Sequence, residues 1–214
     1  MSNHRKGSQR DNLIVQAVDA YKVLDTEQIR IMFFHGIKRD RRTAQERLAI
    51  LSRRGRLKRG REAVDQPYHY YIQRQGQVAH RVGVNWVRLW LTGGLKSWES
   101  IHSFGYEIDY GTLRCDGFAA VQNKVTGKML FYFVEYDHAT SNQFDKVTKY
   151  NRLFEQQPET WWTNLTDRFP AIIVVTSRVH VIRKKVEQEN THGLEFRIYE
   201  FEQMRGECLE RGKV

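Results

Sequence analysis

The chain has only two cysteines in 214 residues, Cys115 and Cys208. Neither stands at metal-ligand spacing from another thiol, and two cannot frame a disulfide scaffold, so both read as reduced thiols. No apolar run reaches the ~18 residues that a membrane span needs. The N-terminal stretch MSNHRKGSQRDN is polar and lacks the apolar core of a signal peptide. The expectation is a cytoplasmic protein with no membrane association. Internal repeats and low-complexity segments are also missing. So are Gly-rich phosphate loops, Ser- or Cys-based nucleophile arrangements and zinc clusters, which excludes the reaction classes that depend on them.

What is present is positive charge, unevenly placed. The formal charge is +10. Residues 1–75 hold 17 Lys/Arg against 8 Asp/Glu, and the remainder holds 18 against 17. A basic first third joined to a near-neutral body points to a polyanion-binding module attached to something else. Hydrophobic residues make up 40%, enough for a packed core, and the length suits one large domain or two small ones.

The basic third has the periodicity of three short helices. Leu13, Ile14, Ala17, Val18 and Tyr21 recur at helical spacing in 12–24. Asp25 to Gln28 resembles a capping box that opens a second helix burying Ile29, Met32 and Phe33 and ending near Gly36. Asp40 or Thr43 then caps a third helix, which stops at Gly55 and turns Ala44, Leu48 and Leu51 inward. A basic hairpin follows over 55–72, with strands RLKRG and YHYYI.

Three helices and a basic hairpin make the winged helix-turn-helix pattern. In that geometry the third helix enters the major groove. Arg41, Arg42, Thr43 and Gln45 are its candidate base-reading residues, since Arg and Gln can make paired hydrogen bonds to guanine and adenine. Arg53, Arg54, Arg56, Lys58, Arg59 and Arg61 would lie against phosphates, giving affinity without sequence information. The competing reading is a winged helix used for protein contacts, its cations merely solvated. RNA is less favoured, because no aromatic stacking platform accompanies the helix.

The body reads as a polar connector over 73–83, an apolar helix over 84–91 broken by Gly93-Gly94, and a further helix or turn over 95–104. Trp86, Trp90 and Trp98 read as core or interface residues, and His80 and His102 as structural or solvated. Then come strands over 106–110, 113–123 and 129–136, with a hairpin turn at Gly127 between the last two. A helix over 143–155, a buried strand over 171–176, a helix over 178–190 and a last strand over 194–201 complete the order.

Three carboxylates stand out. Asp116 heads one strand, and Glu135 and Asp137 are two apart on the next, so they share a face. Phosphodiester hydrolysis uses a metal to polarise phosphate and activate water, and Mg2+ takes oxygen ligands. Asp116 and Glu135 are the candidate metal ligands, with Glu99 or Glu107 able to add a third. His138 reads as a surface residue and Tyr136 as core.

The element order resembles the core of the PD-(D/E)XK nuclease-like fold. Cys115-Asp116-Gly117 resembles its Pro-Asp-Gly turn, and Glu135-Tyr136-Asp137 its Glu-x-Lys strand. A closer resemblance is to the replication-relaxation family of plasmids and mobile elements. There a winged helix precedes such a domain, and the pattern continues as do Asp137, Thr140, Lys146 and Tyr150 here. The resemblance implies an α+β chain: a winged helix-turn-helix over 1–75, then an α/β nuclease-like domain over 76–214 with a central mixed sheet.

Where that fold keeps a catalytic Lys this chain has Asp137, which cannot stabilise a developing negative phosphorane. Lys146 or Lys149 would have to reach the site from the following helix. Otherwise Asp137 pairs with Lys146 and the domain is a scaffold. The implied function is a double-stranded DNA-binding accessory protein of a mobile element, acting in replication or transfer with replication or mobilisation proteins as partners. The rivals are a Mg2+-dependent endonuclease or nickase using Asp116, Glu135, Asp137 and Lys146, and a transcriptional regulator whose C-terminal domain serves for homodimerisation.

Overall fold

The computed structural model describes residues 3–138, 144–156, 159–160 and 162–211, with side chains from Gly7 onward. The chain forms two compact units. One holds the residues up to Leu89 together with those from Cys208 on; the other is Trp90–Glu207.

The first unit runs α1 (Asn3–Tyr21), β1 (Val23–Asp25), α2 (Thr26–Phe33), α3 (Asp40–Arg53), β2 (Lys58–Gly60), β3 (His69–Tyr71) and the first part of α4 (Val78–Gly94). The three strands form an antiparallel sheet in the order β1-β3-β2. α1 begins nine residues before the predicted helix and ends three residues short of it, at Tyr21. Lys22, at φ 68°, breaks it. Val23 and Leu24, expected in the helix, instead enter β1 and pair with Tyr71 and Tyr70.

Local chemistry sets the helix ends. Asp25 caps α2: its Oδ1 accepts the Gln28 N–H at 2.7 Å, while Gln28 Oε1 accepts the Asp25 N–H at 2.9 Å. That reciprocal pair satisfies two otherwise orphaned donors. α3 differs from the expected side-chain cap. Its N-cap is Arg39, in a left-handed conformation and without a capping side chain, because the Asp40 carboxylate is drawn to Arg30 at 2.6 Å and Thr43 Oγ1 donates backward to the Arg39 carbonyl. Gly55 follows α3 at φ 71°, where a Cβ would be strained, and its N–H closes the helix on the Ser52 carbonyl.

Ile14, Val18, Leu24, Ile29, Ile31, Phe34, Ala44, Leu48 and Leu51 make the core of this unit. Each fully buried aliphatic side chain contributes about 1.5–3 kcal/mol relative to exposure. Polar ties add the start of α4: buried Asn85 donates to the Tyr21 and Val23 carbonyls, and the Trp86 indole N–H donates to Asp25 at 3.1 Å.

The second unit carries β4 (Glu99–Asp109), β5 (Arg114–Asn123), β6 (Met129–Asp137), α5 (Lys146–Gln156), β7 (Ala171–Thr176), α6 (Val179–Glu189), β8 (Phe196–Glu200) and α7 (Phe201–Arg211). The five strands form one mixed sheet in the order β4-β5-β6-β7-β8. β4, β5 and β6 are antiparallel; β6, β7 and β8 are parallel. The parallel pairs need crossovers, which α5 and α6 supply. The chain is therefore α+β with a central mixed sheet.

Several boundaries differ from the sequence reading, and α4 runs on from Val78 through Gly94 instead of spanning only 84–91. The segment 95–104 is not a helix: β4 takes it up from Glu99, because pairing with β5 runs from Glu99↔Asn123 to Asp109↔Arg114 around a bulge. The last strand stops at Glu200, and α7 follows where no element was expected. α5 begins at Lys146, and Gln143, its predicted start, lies outside the described residues.

Phe133 centres the core of this unit, with the rings of Phe118, Tyr150 and Phe169 at 5.1, 5.0 and 5.5 Å. Gly117 is required where β5 meets its neighbours, since a Cβ there would lie 2.9 Å from Phe104 and 3.3 Å from Val134. The neighbouring Asp116 side chain accepts the Tyr136 N–H of β6 at 2.8 Å.

Candidate functional site

The first unit presents a cationic surface. Arg41, Arg42 and Gln45 on α3, Arg53, Arg54 and Arg56 at its end, Lys58 and Arg59 on β2, and Arg61 just beyond are all exposed; Thr43 is half-buried. α3 displays them because Ala44, Leu48 and Leu51 occupy its inner face. Several are oriented by neighbours. Arg56 donates to Asn12 at 3.0 Å, Arg61 to the Val64 carbonyl at 3.0 Å and Arg53 to the Ala49 carbonyl at 3.4 Å. The guanidinium groups of Arg59 and Arg61 lie 4.7 and 5.1 Å from the centre of the Tyr68 ring, a cation–π arrangement that sequence spacing did not reveal.

Arg41 and Arg42 are held differently. Arg42 pairs with Glu46 one turn on, both side chains more than half exposed, a labile contact. Arg41 Nε lies 2.9 Å from Glu27, whose side chain is 11% exposed. A cleft of about 380 Å³ opens beside Arg41 and Gln45, with Arg59, Arg61 and Tyr68 on its other wall.

In the second unit two of the three predicted acids meet. Asp116 projects from β5 and Glu135 from β6, and Lys146, the first residue of α5, reaches over both. Its ammonium lies 2.9 Å from Glu135 Oε2 and 3.9 Å from Asp116 Oδ1, and it also donates to the Arg114 carbonyl. The Tyr150 hydroxyl donates to Glu135 Oε1 at 2.6 Å, and the Tyr136 N–H to Asp116 Oδ2 at 2.8 Å.

Burial governs the electrostatics. Glu135 is 1% exposed. Loss of water, and then the nearby Asp116 charge, push its carboxyl up to about 8 against the pull of Lys146 and Tyr150. Burial works against the Lys146 charge as well, but the two acids outweigh it and raise the ammonium above its ordinary value. Burial and the Glu135 charge push the Cys115 thiol up, so it is a buried, unreactive neighbour. The same causes raise the Tyr150 hydroxyl.

Asp137 stands apart from this cluster. The salt bridge to Lys146 that the sequence suggested is not formed. Asp137 accepts instead from Thr176 Oγ1 at 2.7 Å and from Arg178 Nη2 at 2.7 Å and Nε at 3.1 Å. The reason is register: parallel pairing sets Asp137 opposite Thr176, and Arg178 lies just past that strand end. No spacing in the sequence could reveal Arg178 before β7 was known to run beside β6.

The other candidates are also engaged elsewhere. Lys149 pairs with Asp145 at 2.6 Å, Glu107 with Arg114, and Glu99 accepts the Lys96 N–H at 3.0 Å. Thr140 lies outside the described residues.

Magnesium demands near-octahedral oxygen ligands and keeps several waters. Here one Glu135 oxygen holds Tyr150, the other faces Lys146, and Glu135 has almost no contact with solvent. Asp116 is divided between the Tyr136 N–H and Lys146. As arranged, the pair does not fit a magnesium ion. Among the described residues, no group of three or more His, Cys, Asp or Glu is placed to hold a metal.

The linear order Asp116, Glu135, Lys146, Tyr150 thus folds into one contact network. Residues 74–168 match the replication-relaxation family. The replication-relaxation segment takes in α4, the β4-β5-β6 meander and α5, and so the whole acid–lysine cluster and Asp137. It leaves out the cationic surface of α3 and β2 and the strands β7 and β8. No curated protein and no solved structure matches the chain. No helix of the described residues is long and apolar enough to cross a membrane.

Proposed function

We propose that this chain is a double-stranded DNA-binding accessory protein of a plasmid, phage or other mobile element, acting in its replication or transfer. The first unit is its winged helix-turn-helix reader, with α3 for the major groove and the β2–β3 hairpin as the wing. The second is a nuclease-like domain that is catalytically silent and serves contacts with DNA or with replication or mobilisation proteins. The protein works in the cytoplasm, where its DNA is.

The observation that carries this reading is the exposed run of cations from Arg41 to Arg61, laid along one helix, its end and the following strand. An α-β-α-α-β-β order with a basic third helix and hairpin suits a duplex groove flanked by phosphates. Neutralising phosphates releases counterions, so affinity falls steeply with salt, by about 0.9 in log–log slope per contact. Fluorescence anisotropy with a short duplex between about 50 and 200 mM salt tests this. Lys58→Ala should weaken binding to every sequence alike and reduce the slope by about 1, whereas Arg42→Ala should relax base preference. No binding at the low-salt end, or both variants behaving as wild type, refutes the reader.

One observation favours a second reading, a Mg2+-dependent endonuclease or nickase. Lys146 supplies, from α5, the cation that Asp137 removes from β6, and it does so within 4 Å of both remaining acids. That reading requires Lys146 to withdraw far enough for Asp116 and Glu135 to take a metal. Supercoiled plasmid incubated with Mg2+ distinguishes the two. Nicking by wild type that Asp116→Ala abolishes would establish the enzyme; intact plasmid with both supports the silent domain.

A further inference from the structure

The contacts around α3 separate its two leading arginines, and we infer that Glu27, on α2, is a positioning residue that sets Arg41 as the base-reading side chain. The inference rests on the DNA-binding reading above and goes beyond it by naming which arginine carries specificity and what holds it.

Four charged side chains form a relay between two helices. Asp40 Oδ2 takes Arg30 Nη1 at 2.6 Å, Arg30 Nε donates to Glu27 Oε2 at 2.7 Å, and Glu27 Oε1 takes Arg41 Nε at 2.9 Å. Asp40 Oδ1 also accepts the Arg41 N–H at 2.6 Å, so Arg41 is tied at backbone and side chain to the same relay. Glu27 and Arg30 are 11% and 15% exposed, which shields the pairs from water and salt, while Arg41 itself is 71% exposed. An outward-reaching arginine is therefore anchored at its base by an inward-facing acid.

The anchored atom matters. A guanidinium has five N–H donors, one on Nε and four on the two terminal nitrogens. Glu27 Oε1 forms an ion pair with this guanidinium at its base, 2.9 Å from Nε. The terminal pair suits the O6 and N7 acceptors of guanine, and the Arg41 side chain that carries it is 71% exposed. Gln45, one turn along α3, lines the same cleft and can contact the neighbouring base. Arg42 has no such anchor: its partner Glu46 is itself 61% exposed. Holding the reader in place before binding reduces the rotamer entropy lost in the complex.

The test uses the full chain and a readout that simple electrostatics moves the opposite way. Wild type is first used to select a preferred site from a randomised duplex library. Glu27→Gln and wild type are then titrated with the selected duplex and with a scrambled one at one salt concentration. Removing a negative charge near DNA would, by itself, tighten binding to both duplexes. Loss of positioning should instead weaken the selected duplex about tenfold or more, leave the scrambled one unchanged or tighter, and relax preference at one G·C pair. Arg41→Lys, at an exposed position, keeps the charge without the paired donors and should relax the same base pair; it covers the case in which Glu27→Gln fails to fold. A base preference that survives in a folded Glu27→Gln, or in Arg41→Lys, overturns the inference and leaves the DNA-binding reading standing. A wild type that enriches no sequence overturns the inference on other grounds, and one that binds no duplex sinks both.

Discussion

Replacing Lys146 by Met puts the acid–lysine cluster to its most direct test. The side chain keeps its length and loses its charge. Wild-type Lys146 faces Glu135 at 2.9 Å and Asp116 at 3.9 Å. At an effective dielectric near 20 these contacts represent roughly 6 and 4 kcal/mol of Coulomb attraction before desolvation is subtracted. Removing one member of a buried pair costs about 3–5 kcal/mol, because the other is left uncompensated. The cost depends on which partners are charged. Glu135, pushed up to about 8, is mostly neutral at pH 6, so there the variant loses only the contact with Asp116, which keeps some exposure. The expected loss at pH 6 is about 1–2 kcal/mol. Above pH 8 wild-type Glu135 ionises beside the ammonium, whereas in the variant it holds its proton longer. Lys146 stays charged in this range, because its own value is raised. The stability gap should therefore widen with pH, by about 1.4 kcal/mol per pH unit at most, to about 3–5 kcal/mol near pH 10. Urea unfolding of both proteins at pH 6, 8 and 10 measures it. A gap that stays constant or narrows as pH rises would show that Glu135 and Lys146 are not coupled as the distances imply.

Arg47→Ala should cost about 3 kcal/mol in the urea midpoint analysis of the first unit, because Arg47 makes two 2.5 Å contacts to Asp11, a carboxylate only 2% exposed; a loss under about 1 kcal/mol would mean that Asp11 finds water or another donor. Gly117→Ala should destabilise by about 1–3 kcal/mol, since its Cβ would press on Phe104 and Val134 and push β5 from its neighbours. An unchanged thermal midpoint for that variant would contradict the close approach at this strand.

Patterns with short range were legible in the sequence. The Asp25–Gln28 capping box, the inward face of Ala44, Leu48 and Leu51, the Gly55 stop and the turn at Gly127 follow from steric and hydrogen-bonding rules within a few residues. The sheet order and β4 were only partly legible. β4 is an edge strand of half-buried residues whose extended form depends on β5, so its own composition permitted a helix or turn. α7, with its weakly patterned face, gave no comparable signal.

By itself the sequence determined the placement of charge, the capping box of α2 and the inward face of α3, because each depends on residue type and near neighbours. Which acids would meet, and which cation would meet them, was decided only by tertiary structure. Asp137 lies two residues from Glu135 in the chain, yet it pairs with Arg178, 41 residues away, because a parallel strand lies alongside it. Lys146 joins Asp116 and Glu135, which the antiparallel pairing of β5 with β6 brings together. Charge pairing falls off within a few ångströms and burial multiplies it, so it is settled by where strands lie side by side and not by separation along the chain.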